Sequence, residues 1–242
     1  MKKYFAVLCT LVLVFALGGT ARAMTLDVYD WNSATNSGTI LGQIDTIATA
    51  QTGAAHYSFS SSSGHPSGVN LGYYNSNFWV HENTGTGELT FGFIFGIDNG
   101  SNDPNYTELW FRIVDSGSNV YVSQSDDPGE AVESSPGWFH GDYYYNLNTD
   151  GIAVSGITGT DWTIMVDAVD FGDITAWYAA SGETTAYTDD LALTLGHEYR
   201  IVPTGNDPSD EQVNPDVPLP GAAWLLGSGL LGLVGLRRRF RG

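Results

Sequence analysis

Side-chain oxygens at regular spacing are the clearest chemistry in this chain. Asn146-Leu147-Asn148-Thr149-Asp150-Gly151 sets three oxygen-bearing side chains at alternate positions ahead of a glycine. That is the opening spacing of a calcium loop, in which alternate side chains converge and the glycine permits the turn. The position for the bidentate glutamate of such a loop holds Ile157, so the full pattern fails. Asp98-Asn99-Gly100-Ser101-Asn102-Asp103 is a second oxygen-rich loop, and Asp126-Asp127 ahead of Pro128-Gly129 is a third. Each reads either as a cation loop or as an Asx-rich turn whose side chains bond their own backbone. Asn146, Asn148 and Asp150 are the expected metal ligands, and calcium is the expected ion.

Aromatic residues in adjacent pairs offer a second chemistry. Phe78/Trp79, Trp138/Phe139, Tyr143/Tyr144/Tyr145 and Trp177/Tyr178 are neighbours in sequence. Neighbours on a strand point to opposite faces, so these rings cannot all enter one core. Outward tyrosine and tryptophan rings beside carboxylates suit sugars, which offer apolar C–H faces and hydroxyl donors. Trp138, Tyr144, Trp177 and Tyr178 are the expected glycan-contacting residues, against the alternative that they fill core and loop clusters.

Catalytic patterns are weak. His56, His65, His81, His140 and His197 form no zinc-ligand spacing, and neither GxSxG nor a phosphate-cradling glycine loop occurs. Paired carboxylates can hydrolyse glycosides when they face each other at the needed separation. With 27 acidic residues an apparent pair arises by chance, and Glu108 and Glu198 read equally well as solvated strand residues. No catalytic residue is expected, and the protein is expected not to be an enzyme. The competing expectation is a glycosidase-like, carbohydrate-active enzyme on a β-sandwich scaffold.

Period-two patterns dominate the elements that would position these groups. In Leu89–Ile97, Leu89, Phe91, Phe93, Phe95 and Ile97 alternate with Thr90, Gly92, Ile94 and Gly96, which puts five large residues on one sheet face. Further strands are expected at 77–82, 108–115, 119–123, 143–147, 161–169, 174–179 and 191–202, with Gly, Asn, Asp, Ser and Pro clusters between them. Ile40–Ala50 reads as a short helix or a strand. The expected class is all-β, an antiparallel β-sandwich of jelly-roll type.

The 242 residues, 42% hydrophobic, suffice for a core. Of nine basic residues, Lys2, Lys3 and Arg22 lie at the start and Arg237, Arg238, Arg239 and Arg241 at the end. Arg112 and Arg200 alone face all 27 carboxylates between Asp27 and Asp216, a net −25. Such a body repels nucleic acid and anionic lipid and favours divalent cations or cationic partners.

Residues 1–23 read as a secretory signal peptide: a basic start at Lys2-Lys3, an apolar run from Tyr4 to Leu17, and the small-x-small site Ala21-Arg22-Ala23. The only cysteine, Cys9, lies inside that run, so the chain from Met24 onward has no disulfide. The folded body is expected at 24–203, followed by an acidic, proline-punctuated spacer at 204–216. Residues 217–242 join a proline pair, an apolar glycine-rich run from Gly221 to Leu236, and an arginine cluster. As a helix the run would extend ~24 Å, short of a ~30 Å hydrocarbon core. The arginines would hold its end in the cytoplasm.

Val217-Pro218-Leu219-Pro220, the Gly/Leu-rich run with Trp224, and Arg237-Arg238-Arg239 together resemble the PEP-CTERM sorting signal recognised by exosortases of Gram-negative bacteria. The common motif is Pro-Glu-Pro, and here it is Pro218-Leu219-Pro220, the VPLP variant. The resemblance implies export, a transient transmembrane anchor, removal near the motif, and release to the cell surface or the extracellular matrix of a biofilm. The expected role is a non-catalytic matrix or adhesion component that binds extracellular polysaccharide. An exosortase-type enzyme is the expected processing partner.

Overall fold

The computed structural model describes residues 23–58, 65–69, 74–96, 105–115, 119–127, 129–145, 149–183 and 186–209. The expected signal peptide before Ala23, the Asp98–Asp103 loop, Asn146, Asn148 and the sorting segment lie outside them. Among the described residues no helix is long and apolar enough to cross a membrane.

The described residues are all-β apart from one short helix. Among them two seven-stranded sheets pack face to face over a shared core, a β-sandwich-like arrangement. The first sheet runs in the order β2 (Ser37–Asp45), β1 (Thr25–Asn32), β14 (Glu198–Pro203), β11 (Trp162–Asp170), β6 (Asn105–Asp115), β9 (Trp138–Tyr145), β8 (Ala131–Ser135). The second runs β13 (Ala186–Leu193), β12 (Ala176–Glu183), β4 (Asn75–Asn83), β5 (Leu89–Phe95), β10 (Asp150–Ile157), β7 (Tyr121–Ser125), with β3 (Ile47–Thr49) beside β4. A five-residue helix, α1 (Gly53–Tyr57), is capped by Thr52, whose hydroxyl accepts the Ala55 N–H.

The alternation in β5 works as expected on its inner side. Phe91 and Phe93 reach across the sandwich to Phe111 of β6, at 5.7 and 5.8 Å between ring centroids. Trp177 of β12 meets Tyr199 of β14 edge-on at 5.0 Å, and Phe95 meets Tyr143 of β9 at 4.7 Å. Burying each such ring stabilises the fold by roughly 1.5–3 kcal/mol.

The outer side of β5 is buried too, because a second apolar cluster covers it. Trp79, Ile94, Ala153 and Ala180 on the outer face of the second sheet pack with Ile47, Tyr57, Val69 and Tyr187. Gly92 is required here: a Cβ on it would sit 2.1 Å from the Trp79 ring. The outer face of the first sheet has no comparable cluster among the described residues and carries the polar and aromatic groups discussed below.

Several expectations change. Ile40–Ala50 forms the end of β2 and then β3, with no helix. The expected strand 191–202 is broken into β13 and β14 by a turn in which Gly196 has φ +77°. The segment expected at 143–147 starts five residues earlier, at Trp138. The second sheet is mixed rather than antiparallel, because β4 pairs in parallel with both β3 and β12. The connection from β3 to β4 runs through α1 and is long enough to return the chain in the same direction. The start of the expected spacer is an ordered loop: Thr204 donates to Asp27 and Arg200 donates to the Pro208 carbonyl.

Candidate functional site

Strands β6 and β9 face each other residue for residue. Tyr106 pairs with Tyr144, Glu108 with Asp142, Trp110 with His140 and Arg112 with Trp138. All eight lie on alternate positions, so their side chains share the outer face of the first sheet. The ladder extends in both directions: Trp110 and Glu198 both pair with Asp167, Glu198 also pairs with Trp31, and His140 pairs with Val132. This row crosses six strands, roughly 24 Å at ~4.8 Å per strand.

The polar groups on this face are already engaged. His140 Nε2 lies 3.2 Å from Glu108 Oε1 and 3.2 Å from Asp142 Oδ1, so a proton on Nε2 bridges both carboxylates. Trp110 Nε1 donates to Glu108 at 2.8 Å, and the Tyr106 hydroxyl donates to Asp142 at 2.8 Å. His140 stacks on Trp110 at 4.0 Å. The three ligand atoms of Glu108, His140 and Asp142 lie within 4.8 Å of one another, a spacing that a metal ion can also occupy. Donors from Trp110, Tyr106 and His140 nevertheless satisfy the same carboxylates without one.

Both arginines of the body belong to this face. Arg112 lies over the Trp138 ring at 5.3 Å, and the buried Arg200 lies over Trp31 at 4.0 Å. Stacking on an indole stabilises a guanidinium by about 0.5–2 kcal/mol. A cavity of about 160 Å³ opens among Trp31, Trp110, Trp138, Met165 and Arg200. A wider cup of about 640 Å³ lies at the β1–β2 turn, between Asp30, Ser33, His197 and Glu198. Within it His197 Nδ1 is 2.9 Å from Asp30 Oδ2, and Ser33 donates to Glu198 through both its N–H and its hydroxyl.

A different carboxylate group sits at the rim between the sheets. Asp126 follows β7, and its N–H donates to the Gly151 carbonyl, which carries the β7–β10 pairing one residue further. Glu130 donates its N–H to the Asp127 carbonyl, and the Glu130 carbonyl accepts the Asp142 N–H of the first sheet. Asp150 opens β10, is 3% exposed, and accepts the N–H of Gly151 at 2.7 Å. Burial, then the charges of Glu130 and Asp126, push Asp150 up to about 8. Burial and the neighbouring acids Asp127 and Glu130 push Asp126 up to about 6, and burial raises Glu130 as well.

The four residues expected to contact glycan therefore divide. Trp138 and Tyr144 stand on the outer face of the first sheet, Tyr144 being 59% exposed. Trp177 is corrected to a core residue: it is 1% exposed and packs on Phe78, Phe93, Phe171 and Tyr199. Period two then sends Tyr178 to the outer face of the second sheet, away from the other two. Of the expected metal ligands only Asp150 is described, and its carboxylate neighbours are Asp126 and Glu130 from a distant segment. Tyr106 and Trp110 carry no motif in the sequence, Asp142 enters it only as a further carboxylate for the loop at 146–151, and His140 only as one of five unspaced histidines. Their alternation with buried Thr107, Leu109, Phe139 and Tyr143 was the available signal.

No family model, no curated protein and no solved structure matches this chain.

Proposed function

We propose that this is an exported, non-catalytic surface or matrix protein that binds extracellular polysaccharide on the outer face of its first sheet. The observation that carries the reading is the paired ladder of Tyr106, Glu108, Trp110 and Arg112 against Tyr144, Asp142, His140 and Trp138. Aromatic faces accept the apolar side of a pyranose, while the carboxylates between them accept hydroxyl protons. A row of about 24 Å across six strands suits an extended polymer better than a single sugar. The signals at both chain ends support export, exosortase-type processing at the Val217–Pro220 motif, and final residence at the surface or in the matrix of a Gram-negative bacterium. Nested pairing, with β5 to β10 and β6 to β9 inside β1 to β14, supports a jelly-roll-like topology.

The test is a polysaccharide-binding screen with the purified chain and its Trp110→Ala and Tyr144→Ala variants. Binding that falls at least tenfold in both variants, with melting temperatures little changed, is the expected result. Binding that survives both would remove this face from the reading. Processing is checked separately by mass spectrometry of surface-released protein, which should begin near Met24 and end near Val217.

One observation favours a carbohydrate-active enzyme: Glu108 and Asp142 are directly opposed, with oxygens within 4.8 Å. Retaining glycosidases hold their two carboxyl groups about 5–5.5 Å apart. Here, however, both carboxylates take the same His140 nitrogen. Release of reducing sugar from a bound polysaccharide, lost in Glu108→Gln, would establish catalysis.

A further inference from the structure

Three side chains at the centre of the outer ladder converge on one point. His140 and Asp142 are two residues apart on β9, so both lie on its outer side, and Glu108 of β6 is paired directly with Asp142. His140 Nε2 therefore stands 3.2 Å from Glu108 Oε1 and 3.2 Å from Asp142 Oδ1, and the three atoms lie within 4.8 Å of one another. A single Nε2 proton shared between two oxygens makes two long contacts here, each beyond the ~2.7–2.9 Å of a charge-assisted hydrogen bond. Ligands held ~2.0–2.2 Å from a tetrahedral metal stand roughly 3.3–3.6 Å from one another. The gap is wide for a proton and close to the size an ion needs.

The surroundings hold each of these groups in place. Trp110, opposite His140 in the ladder, stacks on the imidazole at 4.0 Å and donates its Nε1–H to Glu108 at 2.8 Å. The Tyr106 hydroxyl donates to Asp142 at 2.8 Å. A carboxylate oxygen has two lone pairs, so each can keep that donor and still bind an ion, and such outer hydrogen bonds orient metal ligands. The side chains of His140 and Glu108 are 21% and 29% exposed and that of Asp142 is 49% exposed, so an ion reaches the group from the Asp142 side. A divalent ion would cancel the two carboxylate charges, in a stretch from Met24 to Asp216 that has no lysine and whose two arginines lie over Trp138 and Trp31.

We infer that Glu108, His140 and Asp142 form a zinc site with one open coordination position on the outer face of the first sheet. The imidazole decides the class of ion: it suits zinc, copper, iron and nickel, whereas calcium and magnesium take oxygen. Zinc accepts imidazole and carboxylate together in a tetrahedron, and three protein ligands leave the fourth position to water or to a hydroxyl of a bound molecule. The ion takes the place of the Nε2 proton, and the neutral ring then carries its hydrogen on Nδ1. Spacing in the sequence could not show this site, because Glu108 lies 32 residues from His140 and reaches it only through the β6–β9 pairing. The site is distinct from a calcium loop at 146–151 and does not rest on polysaccharide binding by the same face.

The experiment is zinc titration of the full-length chain, prepared without a histidine tag, by calorimetry, with cobalt(II) as a coloured substitute. One tightly bound zinc ion per chain is expected, and cobalt should give the strong visible absorption of a four-coordinate site. His140→Gln and Glu108→Gln should each weaken zinc binding roughly tenfold or more and abolish the cobalt band, with melting temperatures little changed. Trp110→Phe, which keeps the stack and removes the N–H donor to Glu108, should weaken binding by about tenfold. Asp142→Asn, at the most exposed of the three positions, decides the matter if another variant does not fold. His197→Gln, which breaks the separate His197–Asp30 pair, should bind zinc as the wild type does. Zinc held no more tightly than calcium or magnesium, or cobalt bound without the four-coordinate band, would overturn the inference. So would binding that survives His140→Gln, or binding lost in His197→Gln, which would place the ion in the cup at the β1–β2 turn.

Discussion

Each outer face of the sandwich carries a stacked histidine with rings 4.0 Å from its partner. On the second sheet His56 stacks on His81, and on the first His140 stacks on Trp110. The second-sheet pair is sealed under α1 and Tyr187. His56 Nε2 is 3.2 Å from the Tyr187 hydroxyl, and His81 Nε2 is 2.8 Å from Thr49 Oγ1. Burial drives His56 down to about 3, with His81 adding to the effect, and drives His81 down to about 4. His140 remains at the surface, between two carboxylates. The same residue type thus becomes a neutral part of a core in one place and a polar platform residue in the other. What differs is whether a helix and a loop are laid over the sheet.

The largest way to break the contrast is to open the covered face. Trp79→Ala should cost about 3–5 kcal/mol, because a fully buried indole leaves a cavity among Tyr57, Ile94 and Tyr187. Melting curves should drop by about 6–20 °C for a body of this size. Gly92→Ala attacks the same contact from beneath and should cost about 1–3 kcal/mol through overpacking against Trp79. If Gly92→Ala melts like the wild type, the tight seat of Trp79 is wrong.

Acid should act on the covered face through its two histidines. The folded state keeps them neutral, whereas the unfolded chain protonates them near pH 6.5. Their contribution is therefore fully present above about pH 6.5 and is lost as pH falls toward 4 and then 3, by up to about 1.4 kcal/mol per unit for each histidine. Asp126 and Asp150 have the opposite sign: raised to about 6 and about 8, they favour the fold in acid and oppose it as pH rises through those values. Denaturant unfolding of His56→Gln beside the wild type isolates the histidine term, and the variant should show the flatter slope between pH 6.5 and 4. An unchanged slope would mean that His56 is not held neutral by burial.

Changes on the open face should be smallest in stability and largest in binding. Tyr106→Phe removes one exposed hydrogen bond to Asp142 and should leave stability close to that of the wild type. A larger loss in denaturant unfolding would show that the ladder holds the sheet together rather than presenting a surface.

Much of the inner core was legible in the residues. The alternation of Leu89, Phe91, Phe93 and Phe95 identifies a strand and its buried side, because side chains on a strand repeat every two residues. The burial of Thr90, Gly92 and Ile94 on the opposite side was not, since the covering residues Tyr57, Val69 and Tyr187 are remote in sequence. Trp177 and Tyr178 show the same limit. Adjacency says that they part company, but which of them enters the core depends on the register of β12 against β4.

The site followed the same division. Charge balance and the acidic loops pointed to a cation, and they singled out Asp150 and Asp126 without showing that the two meet. Glu130 and Tyr143 belong to the other sheet, where the Glu130 carbonyl accepts the Asp142 N–H and Tyr143 faces inward beside Phe95. Composition, periodicity and the terminal signals are properties of local sequence, since they rest on neighbouring residues and on charge. Which carboxylates meet, as Glu108 and Asp142 do, and which aromatic rings reach solvent, is settled by the pairing of strands that are not neighbours in sequence, where a shift of one residue would turn every side chain to the other face.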